Sequence, residues 1–464
     1  RDAAHRLLGL SDPAGRGVNY TLDAQGKRTA DADINGDGST ARQVSRSYDA
    51  LGRIQTEAEG DDPARSFTYA ANGELQSVNS PRPATTSYTI DALGRTTHIA
   101  DPINGSGKPT TMAYDRRGQI TSLTAPNGAV TSFTVDGLGN VRQENSANRG
   151  TTSATYDEAG NLKTRTDSVG VLATYSYDAL NRLTGIVYSQ AGQTSLSYGW
   201  SFDQTGAGYA NGVGRLTSTS FPTGSSQYTY DPQGRVLTDI QRVSAITGGN
   251  AAQISNTVTY TYDSAGHVTS VLYPSGRKLS ITYTDGVPRA LSLAKDSATT
   301  PVALISAIQW ESFGGLKSWL WQMASGTQLH ERLYDSSGRV VRYRLGASIR
   351  DLTYDAGDRI TAYTHYDAAS AATQPTLNQS FTYDELGRIT GVTTASASWT
   401  LGYDANGNRT SVVLNGTSST YTTSTTSNRL TSVTNPARSL GYDSAGNTTS
   451  DGYSATYSLD NRLR

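Results

Sequence analysis

Short runs in which aromatic residues alternate with small polar residues recur along the whole chain. Examples are Phe67-Thr68-Tyr69, Tyr175-Ser176-Tyr177 and Tyr228-Thr229-Tyr230. A period of two places the aromatic residues on one face of a β-strand and the polar residues on the other. Because a turn sequence containing Asp, Asn or Gly follows each run, the pattern predicts short strands joined by tight turns.

One turn sequence marks a repeat. Of the 28 tyrosines, twelve are followed directly by Asp, and nine of these twelve pairs have Gly three residues after the Asp. Random placement would give at most about 2.4 such pairs, so the chain is an array of one unit. The spacing is 21 residues from Tyr48 to Tyr69 and again from Tyr156 to Tyr177. At this length the chain holds about 22 units.

Each unit contains two kinds of turn. In Asp-x-x-Gly, called the Asp-turn below, Asp at the first position and Gly at the fourth are typical of a type I turn closed by a residue with positive φ. After Asp178 the fourth position is Asn181, since Asn tolerates that conformation better than most residues. A second turn contains Pro and Gly, as in Pro126-Asn127-Gly128 and Pro274-Ser275-Gly276. Two turns per unit predict a meander of hairpins with about 44 strands.

Composition favours thin, solvated sheets over a thick core. Hydrophobic residues make up 35% and charged residues 17%, with 28 Tyr but 6 Phe and 2 Met. Tyrosine suits a wet sheet face, because its ring packs while its hydroxyl stays in water. Side chains cannot fill the inside of so long a ribbon, so we expect it to curl around a large cavity.

Global features exclude several classes of protein. The chain has no cysteine, so it holds no disulfide or thiolate metal site, and its net charge of −1 with scattered basic residues argues against a nucleic-acid groove. No stretch approaches the about 20 apolar residues of a membrane helix. The chain opens at Arg1-Asp2-Ala3 without an initiating Met, and we expect it to be a section of a longer protein.

The repeated unit resembles the YD repeats of the RHS family over most of the chain. The residues that show this resemblance include Tyr334-Asp335-Ser-Ser-Gly338-Arg339, Tyr383-Asp384-Glu-Leu-Gly387-Arg388 and Tyr403-Asp404-Ala-Asn-Gly407-Asn408. The segments 274–277, 308–321 and 332–335 also resemble longer motifs of bacterial RHS proteins. The fold that this resemblance implies is all-β: a long antiparallel β-hairpin ribbon that spirals into a hollow cocoon or barrel-like shell. Residues 1–464 would form one continuous YD-repeat array.

The resemblance also implies a function. In RHS toxins and toxin-complex components the shell encloses a C-terminal toxic domain until delivery, so we expect an encapsulating shell that is not an enzyme. Its partners would be the enclosed toxin domain or other shell segments of the same protein, and it would be secreted or at the bacterial cell surface. Such shells usually end in a self-cleaving segment with an Asp-Pro-x-Gly-Leu motif. The chain lacks it, because Asp12-Pro13 and Asp231-Pro232 begin ordinary turns.

A Trp-rich segment, residues 286–330, departs from the unit as a longer repeat. Its aromatic side chains, which would stack on sugars in a carbohydrate-binding surface, are Trp310, Phe313, Trp319 and Trp321. Packing within a longer hairpin is the favoured interpretation, because clustered aromatic residues usually pack against their neighbours. An adhesin or carbohydrate-binding module therefore stays as the alternative function.

An acidic segment resembles half of a calcium loop. Asp31-Ala-Asp33-Ile-Asn35-Gly36-Asp37-Gly38 has oxygen ligands at alternate positions and Gly for the sharp turn. The twelfth position, which needs Glu, is Arg42 in one register and Val44 in the other. A connecting loop without metal is therefore favoured, and no metal site is predicted.

Catalytic chemistry is not indicated. The repeated Asp and Arg occupy equivalent positions, whereas acid and base partners need different environments. We expect each Asp to bind the backbone of its turn, with an Arg from an adjacent unit as its partner. The five histidines have no metal-ligand spacing, and no phosphate loop or nucleophile elbow is present. A polysaccharide-active β-repeat enzyme is the third and least favoured function. We predict no catalytic, cofactor-binding or metal-binding residue and no cofactor.

Overall fold

The structure is a computed structural model that describes residues 1–13, 15–82, 84–247, 250–296, 299–312 and 314–463. The described residues form 40 strands and two short 3₁₀ helices, Gly105–Gly107 and Pro375–Leu377. None of the described helices has the length and apolar character that a membrane crossing requires. The prediction of an all-β chain therefore agrees with the secondary structure.

The first twenty strands cover the N-terminal half of the chain. They are β1 Gly9–Ser11, β2 Gly17–Leu22, β3 Arg28–Ile34, β4 Thr40–Tyr48, β5 Ile54–Glu59, β6 Arg65–Tyr69, β7 Leu75–Asn79, β8 Thr85–Ile90, β9 Thr96–Ala100, β10 Thr110–Tyr114, β11 Ile120–Thr124, β12 Val130–Val135, β13 Val141–Ser146, β14 Gly150–Tyr156, β15 Leu162–Thr166, β16 Leu172–Tyr177, β17 Leu183–Ser189, β18 Leu196–Phe202, β19 Leu216–Phe221 and β20 Gly224–Tyr230.

Twenty more strands follow in the C-terminal half. They are β21 Val236–Thr247, β22 Asn250–Tyr262, β23 Val268–Leu272, β24 Lys278–Thr284, β25 Val287–Ala294, β26 Val302–Trp310, β27 Leu316–Met323, β28 Gly326–Tyr334, β29 Val340–Leu345, β30 Ser348–Tyr354, β31 Ile360–Asp367, β32 Gln379–Tyr383, β33 Ile389–Thr394, β34 Ser398–Tyr403, β35 Arg409–Leu414, β36 Thr417–Thr423, β37 Leu430–Thr434, β38 Ala437–Ser439, β39 Gly441–Tyr442 and β40 Thr448–Ser450.

Strands that follow one another in sequence pair antiparallel in the sheet. In β4 and β5, for example, Val44 lies opposite Glu59 and Ser47 opposite Thr56. The described strands are fewer than the 44 predicted, because several units are longer than 21 residues. The longest strands are in the hairpin of β21 and β22, which have 12 and 13 residues.

The Asp-turns have the predicted conformation. In the turn between β4 and β5, the Gly52 N–H donates to the Asp49 carbonyl at 2.8 Å, and the Asp49 N–H donates to the Arg53 carbonyl at 2.9 Å. Gly52 has φ 82°, and Asn181, at the same turn position, has φ 59°. The strand register shifts just before Tyr48, as in a bulged hairpin. The expectation that Asn replaces Gly for its positive φ is therefore confirmed.

The chain forms two compact units, each built from separate stretches of sequence. Unit 1 contains Arg1–Ser132, Gln309–Trp319 and Leu329–Leu440, and unit 2 contains Phe133–Ile308, Leu320–Gln328 and Gly441–Arg464. Each unit therefore combines early repeats with late repeats.

Buried apolar side chains are few, and several lie beside turns rather than in the middle of a sheet face. Ala84 and Ala129 in unit 1, and Val171 in unit 2, are at most 9% exposed, and each is the residue that ends a second turn. Leu459, in the late turn from Ser458 to Arg462 of unit 2, is 3% exposed. Other buried apolar residues, such as Val44 in β4, lie within strands.

Candidate functional site: turn clamps and seams

The Asp side chain holds its own turn together. One carboxylate oxygen of Asp49 accepts the N–H groups of Leu51 and Arg53 at 2.9 Å, and the other accepts Arg53 Nε at 2.7 Å. The partner is therefore usually the Arg four residues later in the same turn, whereas the expected Arg from an adjacent unit occurs at Asp203, which pairs with Arg182. The same ion pair joins Asp91 to Arg95, Asp178 to Arg182, Asp231 to Arg235, Asp335 to Arg339, Asp355 to Arg359 and Asp384 to Arg388.

The Arg also reaches the next unit. The Arg53 guanidinium carbon lies 4.4 Å from the centre of the Tyr69 ring, one repeat later, which is a cation–π contact. The Tyr69 hydroxyl donates to the carbonyl of Ile54, the residue after that Arg, at 2.7 Å. We call this set of Asp, Arg and the following Tyr a clamp. Clamps with the same stacking join Arg95 to Tyr114, Arg235 to Tyr262, Arg339 to Tyr354, Arg359 to Tyr383 and Arg388 to Tyr403.

A third contact of the Arg ties consecutive turns directly. Arg95 Nη1 donates to the carbonyl of Asp115, the first residue of the next Asp-turn, at 3.1 Å. Arg359 makes the same bond to Asp384 at 2.7 Å. The guanidinium groups of Arg95 and Arg359 thus each bind a carboxylate in their own turn and a ring and a carbonyl in the following repeat.

Some turns replace the Arg without losing the connection. Asn161 Nδ2 donates to Asp157 at 3.1 Å and to Asn181 of the next turn at 2.9 Å. His267 Nδ1 lies 2.9 Å from an Asp263 oxygen, and its ring stacks on Tyr283 with centres 4.7 Å apart. In these two turns a planar donor group takes the place of Arg.

The hydrogen bonds of the clamp stabilise the ionised carboxylate. The Arg53 backbone N–H, followed by its guanidinium, outweighs desolvation and holds the pKa of Asp49 below its usual value. The guanidinium of Arg95 lowers the pKa of Asp91 in the same way. These carboxylates all stay ionised, whereas acid–base catalysis needs two groups whose environments separate their pKa values.

In unit 1, late Asp-turns lie against early second turns, and we call this set of contacts the seam of unit 1. Its early side contains residues 59–62, 80–82, 84, 104 and 127–129, and its late side contains residues 335–339, 356–357, 384–385, 405–406 and 428. The hydrogen-bonded residues are 275 to 303 positions apart. The ribbon therefore returns to bond its own earlier repeats.

The closest part of this seam surrounds Gly60. Ser337 Oγ lies 2.9 Å from the Glu59 carbonyl and 2.7 Å from an Asp62 carboxylate oxygen, and is a donor to this pair. Arg339 makes an ion pair to Asp62 at 3.0 Å in addition to its clamp. A Cβ on Gly60 would come within 2.6 Å of backbone atoms of Ser336 and Ser337, so only Gly fits there.

Further along the seam of unit 1, asparagine side chains make most of the contacts. Asn104 Nδ2 donates to the Ala405 carbonyl at 2.9 Å. The Asn127 N–H donates to Asn406 Oδ1 at 2.9 Å, and Asn127 Nδ2 donates to Asn428 Oδ1 at 2.9 Å. Amides satisfy backbone groups at both hairpin ends without introducing charge.

Unit 2 has a seam of its own, between residues 150–198 and residues 444–461. Ser444 Oγ donates to the Ser168 carbonyl at 2.6 Å, across 276 positions of sequence. The Tyr198 hydroxyl donates to Asp460, and desolvation together with this bond raises the pKa of Tyr198 to about 12. Leu459 lines a cavity of about 200 Å³ together with Val171.

The Trp-rich segment contains a turn of the ordinary kind with Glu in place of Asp. The Glu311 N–H donates to the Gly315 carbonyl at 3.1 Å, and the turn meets the early repeats through a bond from the Ser312 N–H to Asn35 Oδ1 at 3.3 Å. Trp319 is buried, and its ring stacks on His330 with centres 3.9 Å apart. A buried ring presents no surface to a sugar. Phe313 lies outside the described residues.

The acidic segment with calcium-loop spacing is a strand and a second turn. Asp31 and Asp33 lie within β3, and Asp31 is paired with Arg46 on β4. Asp37 accepts the Ser39 N–H at 2.9 Å inside the turn. Among the described residues no group of three or more His, Cys, Asp or Glu side chains is arranged to hold a metal ion.

The seams are what sequence reasoning missed. Gly60, Ser337 and Leu459 were not distinguished from other turn residues, because their partners are hundreds of positions away. One signal was present: the middle positions of the Asp-turn are Ser336 and Ser337 at the seam, but Ala50 and Leu51 in the exposed turn that begins at Asp49.

Two family patterns match the sequence. That of the Teneurin YD-shell covers residues 18–207, and that of the RHS Repeat covers residues 211–245 and 383–420. The chain belongs to the RHS/YD-repeat family. The predicted resemblance to this family is therefore confirmed. None of the curated proteins matches the sequence.

Solved structures share the fold. The crystal structure of TcdB2-TccC3-Cdc42 superimposes with a TM-score of 0.74 at 15% identity, covering 97% of this chain and 28% of that one. The Tc holotoxin pore of Photorhabdus luminescens gives a TM-score of 0.67 at 15% identity, with the same coverage of both chains. The RHS/YD-repeat chain thus spans 28% of the length of these relatives. The predicted fold class is confirmed.

The hydroxyl of a clamp Tyr stabilises the ribbon through its bond to the previous repeat. Tyr69→Phe keeps the ring over Arg53 but leaves the Ile54 carbonyl unbonded, so the free energy of unfolding should fall by about 1 kcal/mol in urea titrations. Tyr88→Phe is the control, because the Tyr88 hydroxyl makes no hydrogen bond within the described residues. Equal losses in both variants would contradict the clamp.

Two features require glycine at position 60: its positive φ and the close approach of the seam of unit 1. Gly60→Ala and Gly128→Ala both place Cβ on a residue with positive φ, which costs roughly 1–2 kcal/mol, but a Cβ on Gly128 meets no atom within 4 Å. Gly60→Ala should therefore destabilise more. It should also speed hydrogen exchange at the Gln43 N–H, which donates to Ser336 in the seam. Identical exchange rates in the two variants would show that the seam does not need Gly60.

His365 should make the chain sensitive to mild acid. It is 1% exposed and accepts a bond from Arg350 Nε at 2.9 Å, and burial, then Arg350, lowers its pKa. The unfolded chain therefore binds a proton at His365 more tightly than the folded chain does. For this reason the free energy of unfolding that is present above about pH 6.5 falls as the pH falls, by at most about 1.4 kcal/mol per pH unit. In denaturation from pH 7.5 to pH 5, His365→Gln should flatten this dependence, whereas His98→Gln on β9 should leave it unchanged.

Proposed function

We propose that this chain is part of the wall of an encapsulating shell that sequesters a C-terminal toxic domain until delivery. The observation that carries the proposal is the seam. In each unit, late hairpin ends bond to early hairpin ends that precede them by 262 to 303 residues. Successive passes of the ribbon are thereby sealed edge to edge, which a wall needs and an open repeat array does not.

The chemistry of the wall suits sequestration. Clamps fix each hairpin to the next, and Ser and Asn side chains close the gaps between passes with hydrogen bonds. Containment requires only that the wall persist, so the chain acts without catalysis and needs no catalytic, metal-binding or cofactor-binding residue. Residues 1–464 then act as one continuous array, with residues 286–330 as a longer repeat within it.

The partner in this proposal is a toxic domain of the same protein or a further shell segment. The similar structures include a TcdB2-TccC3 form without its hypervariable C-terminal region, which names such a region for those proteins. By analogy the protein is secreted or displayed by a bacterium. Glycan binding has no comparable support, because Trp319 is packed against His330 and Arg332.

Protease protection tests the proposal. In the full-length protein, the region after the shell should resist a non-specific protease under native conditions and be digested once the shell is unfolded. Ser337→Trp forces a large ring into the seam of unit 1, where Ser337 is 7% exposed, and should abolish this protection. Ala159→Trp, at the same position of an exposed turn, should retain it.

Two outcomes would contradict this picture. Digestion of the downstream region at equal rates before and after unfolding would rule out enclosure. If hydrogen exchange in Ser337→Trp shows an open seam while the downstream region still resists the protease, containment does not depend on the seam.

A further inference from the structure

Two asparagines of unit 1 have the same local setting but different surroundings. Asn72 and Asn406 each lie between Ala and Gly, at the third position of the turn that directly follows the Tyr of a repeat. In both turns the Gly has positive φ, 92° at Gly73 and 85° at Gly407, and its N–H donates to the carbonyl three residues earlier. Asn72 is exposed, whereas Asn406 bonds across the seam of unit 1. Any difference in their reactivity therefore comes from the seam.

The Asn-Gly sequence is prone to deamidation, because Gly has no side chain to hinder attack by its backbone nitrogen. At Asn406 the Gly407 nitrogen attacks the side-chain carbon Cγ, and a succinimide ring forms. The bond from Cγ to Nδ2 breaks, and Nδ2 leaves as ammonia with the proton of the Gly407 N–H, which solvent carries to it. Water then opens the ring to aspartate or isoaspartate. Each event consumes one water, releases one ammonia and adds one negative charge.

The seam holds the Asn406 amide at both ends. Its Nδ2 donates to Asn428 Oδ1 at 2.8 Å, and its Oδ1 accepts the Asn127 N–H at 2.9 Å. Turning Cγ toward the Gly407 nitrogen breaks both bonds, so a closed seam opposes the reaction. Within the described residues, the Asn72 amide bonds only the N–H two residues later, inside its own turn.

A second Asn-Gly pair faces Asn406 from the early side of the seam. Asn127 precedes Gly128, and its Nδ2 donates to the same Asn428 Oδ1 at 2.9 Å. Asn408 Nδ2 is a third donor to that oxygen, also at 2.9 Å. Two reactive amides from opposite sides of the seam thus share one acceptor.

Deamidation at either position turns a donor of the seam into an acceptor. An oxygen at the place of the Asn406 or Asn127 Nδ2 faces Asn428 Oδ1, and the bond between them is lost. Rotating the Asn428 amide by half a turn does not restore it, because the two remaining donors still need its oxygen. Isoaspartate also lengthens the backbone by one carbon inside a tight turn.

The new charge adds to one that is already present. The Asp404 carboxylate accepts Asn408 Nδ2 at 2.9 Å, so it lies beside the amide cluster. The nearby Arg388 guanidinium is already bound to the Asp384 carboxylate at 2.5 Å and to the Asp404 carbonyl at 3.1 Å. A second carboxylate in the cluster therefore repels Asp404 and opposes closure of the seam.

We propose that Asn406 and Asn127 are deamidation sites that make opening of the seam of unit 1 irreversible. While the seam is closed, both amides persist. Once it has opened, they react as exposed Asn-Gly pairs do, and the products no longer bond Asn428. This one-way closure suits a wall that opens once. It rests on the seam alone and stands whether or not a toxic domain is enclosed.

Peptide mass spectrometry of the full-length protein, incubated at mildly alkaline pH, compares the two asparagines in one sample. In the native protein Asn406 should deamidate at least about tenfold more slowly than Asn72, which corresponds to about 1.4 kcal/mol or more for opening the seam. In urea the two rates should converge, because both residues lie between Ala and Gly. Asn428→Ala removes the shared acceptor and should bring the Asn406 rate close to that of Asn72. An unchanged Asn72 rate in that variant shows that its fold is retained.

The consequence of the reaction is tested with Asn406→Asp, which carries the charge of the product. It should speed hydrogen exchange at the Asn127 N–H, whereas the matched control Asn72→Asp should leave that exchange unchanged. Equal deamidation rates at Asn72 and Asn406 in the native protein would overturn the protection. Unchanged exchange in Asn406→Asp would overturn the irreversibility. Loss of the downstream region's protease protection, with slow deamidation at Asn406 retained, would affect only the proposed function.

Discussion

The clamp made by the Arg that ends many of the Asp-turns is the interaction on which the ribbon depends. An isolated surface ion pair contributes about 0–1 kcal/mol, because solvent screens it and the side chains lose entropy. Here the turn itself orients both partners, since Asp49 already bonds the Arg53 backbone before it binds the guanidinium. The same guanidinium then stacks on Tyr69 in the next repeat. Each repeat is thus fixed to its neighbour by a group that is ordered in advance, and stability accumulates along the array.

This constraint explains the unusual composition. Tyr serves the clamp better than Phe, because its ring binds the cation and its hydroxyl bonds the preceding strand; Phe202 keeps the stack on Arg182 but has no hydroxyl to donate. Since the clamps stabilise the ribbon through polar groups, the chain needs little apolar volume. Buried residues such as Ala129 and Val171 are small or β-branched and lie beside turns, whereas the buried ring of Trp319 lies within β27.

Sequence reasoning succeeded where the determining interactions are local. The turn, the strand alternation and the positive φ of Asn181 follow from residues within four positions of one another, and the family resemblance supplied the larger fold. It failed on the partner of Asp, because spacing alone does not say whether Arg53 turns back to Asp49 or reaches forward. It also could not find Gly60 as a packed residue, because its neighbours are set by the tertiary structure.

The two middle positions of the Asp-turn can vary without changing the conformation of the turn. Backbone conformation is fixed by Asp at the first position and by Gly or Asn at the fourth, so the two residues between them are free to respond to whatever lies across the edge. Where the edge meets another pass they include Ser and Asn, as in Ser337 and Asn406, and they bond across the gap. Local repetition and lateral packing are therefore encoded at different positions of the same tetrapeptide. For this reason a regular array can still specify which of its edges meet.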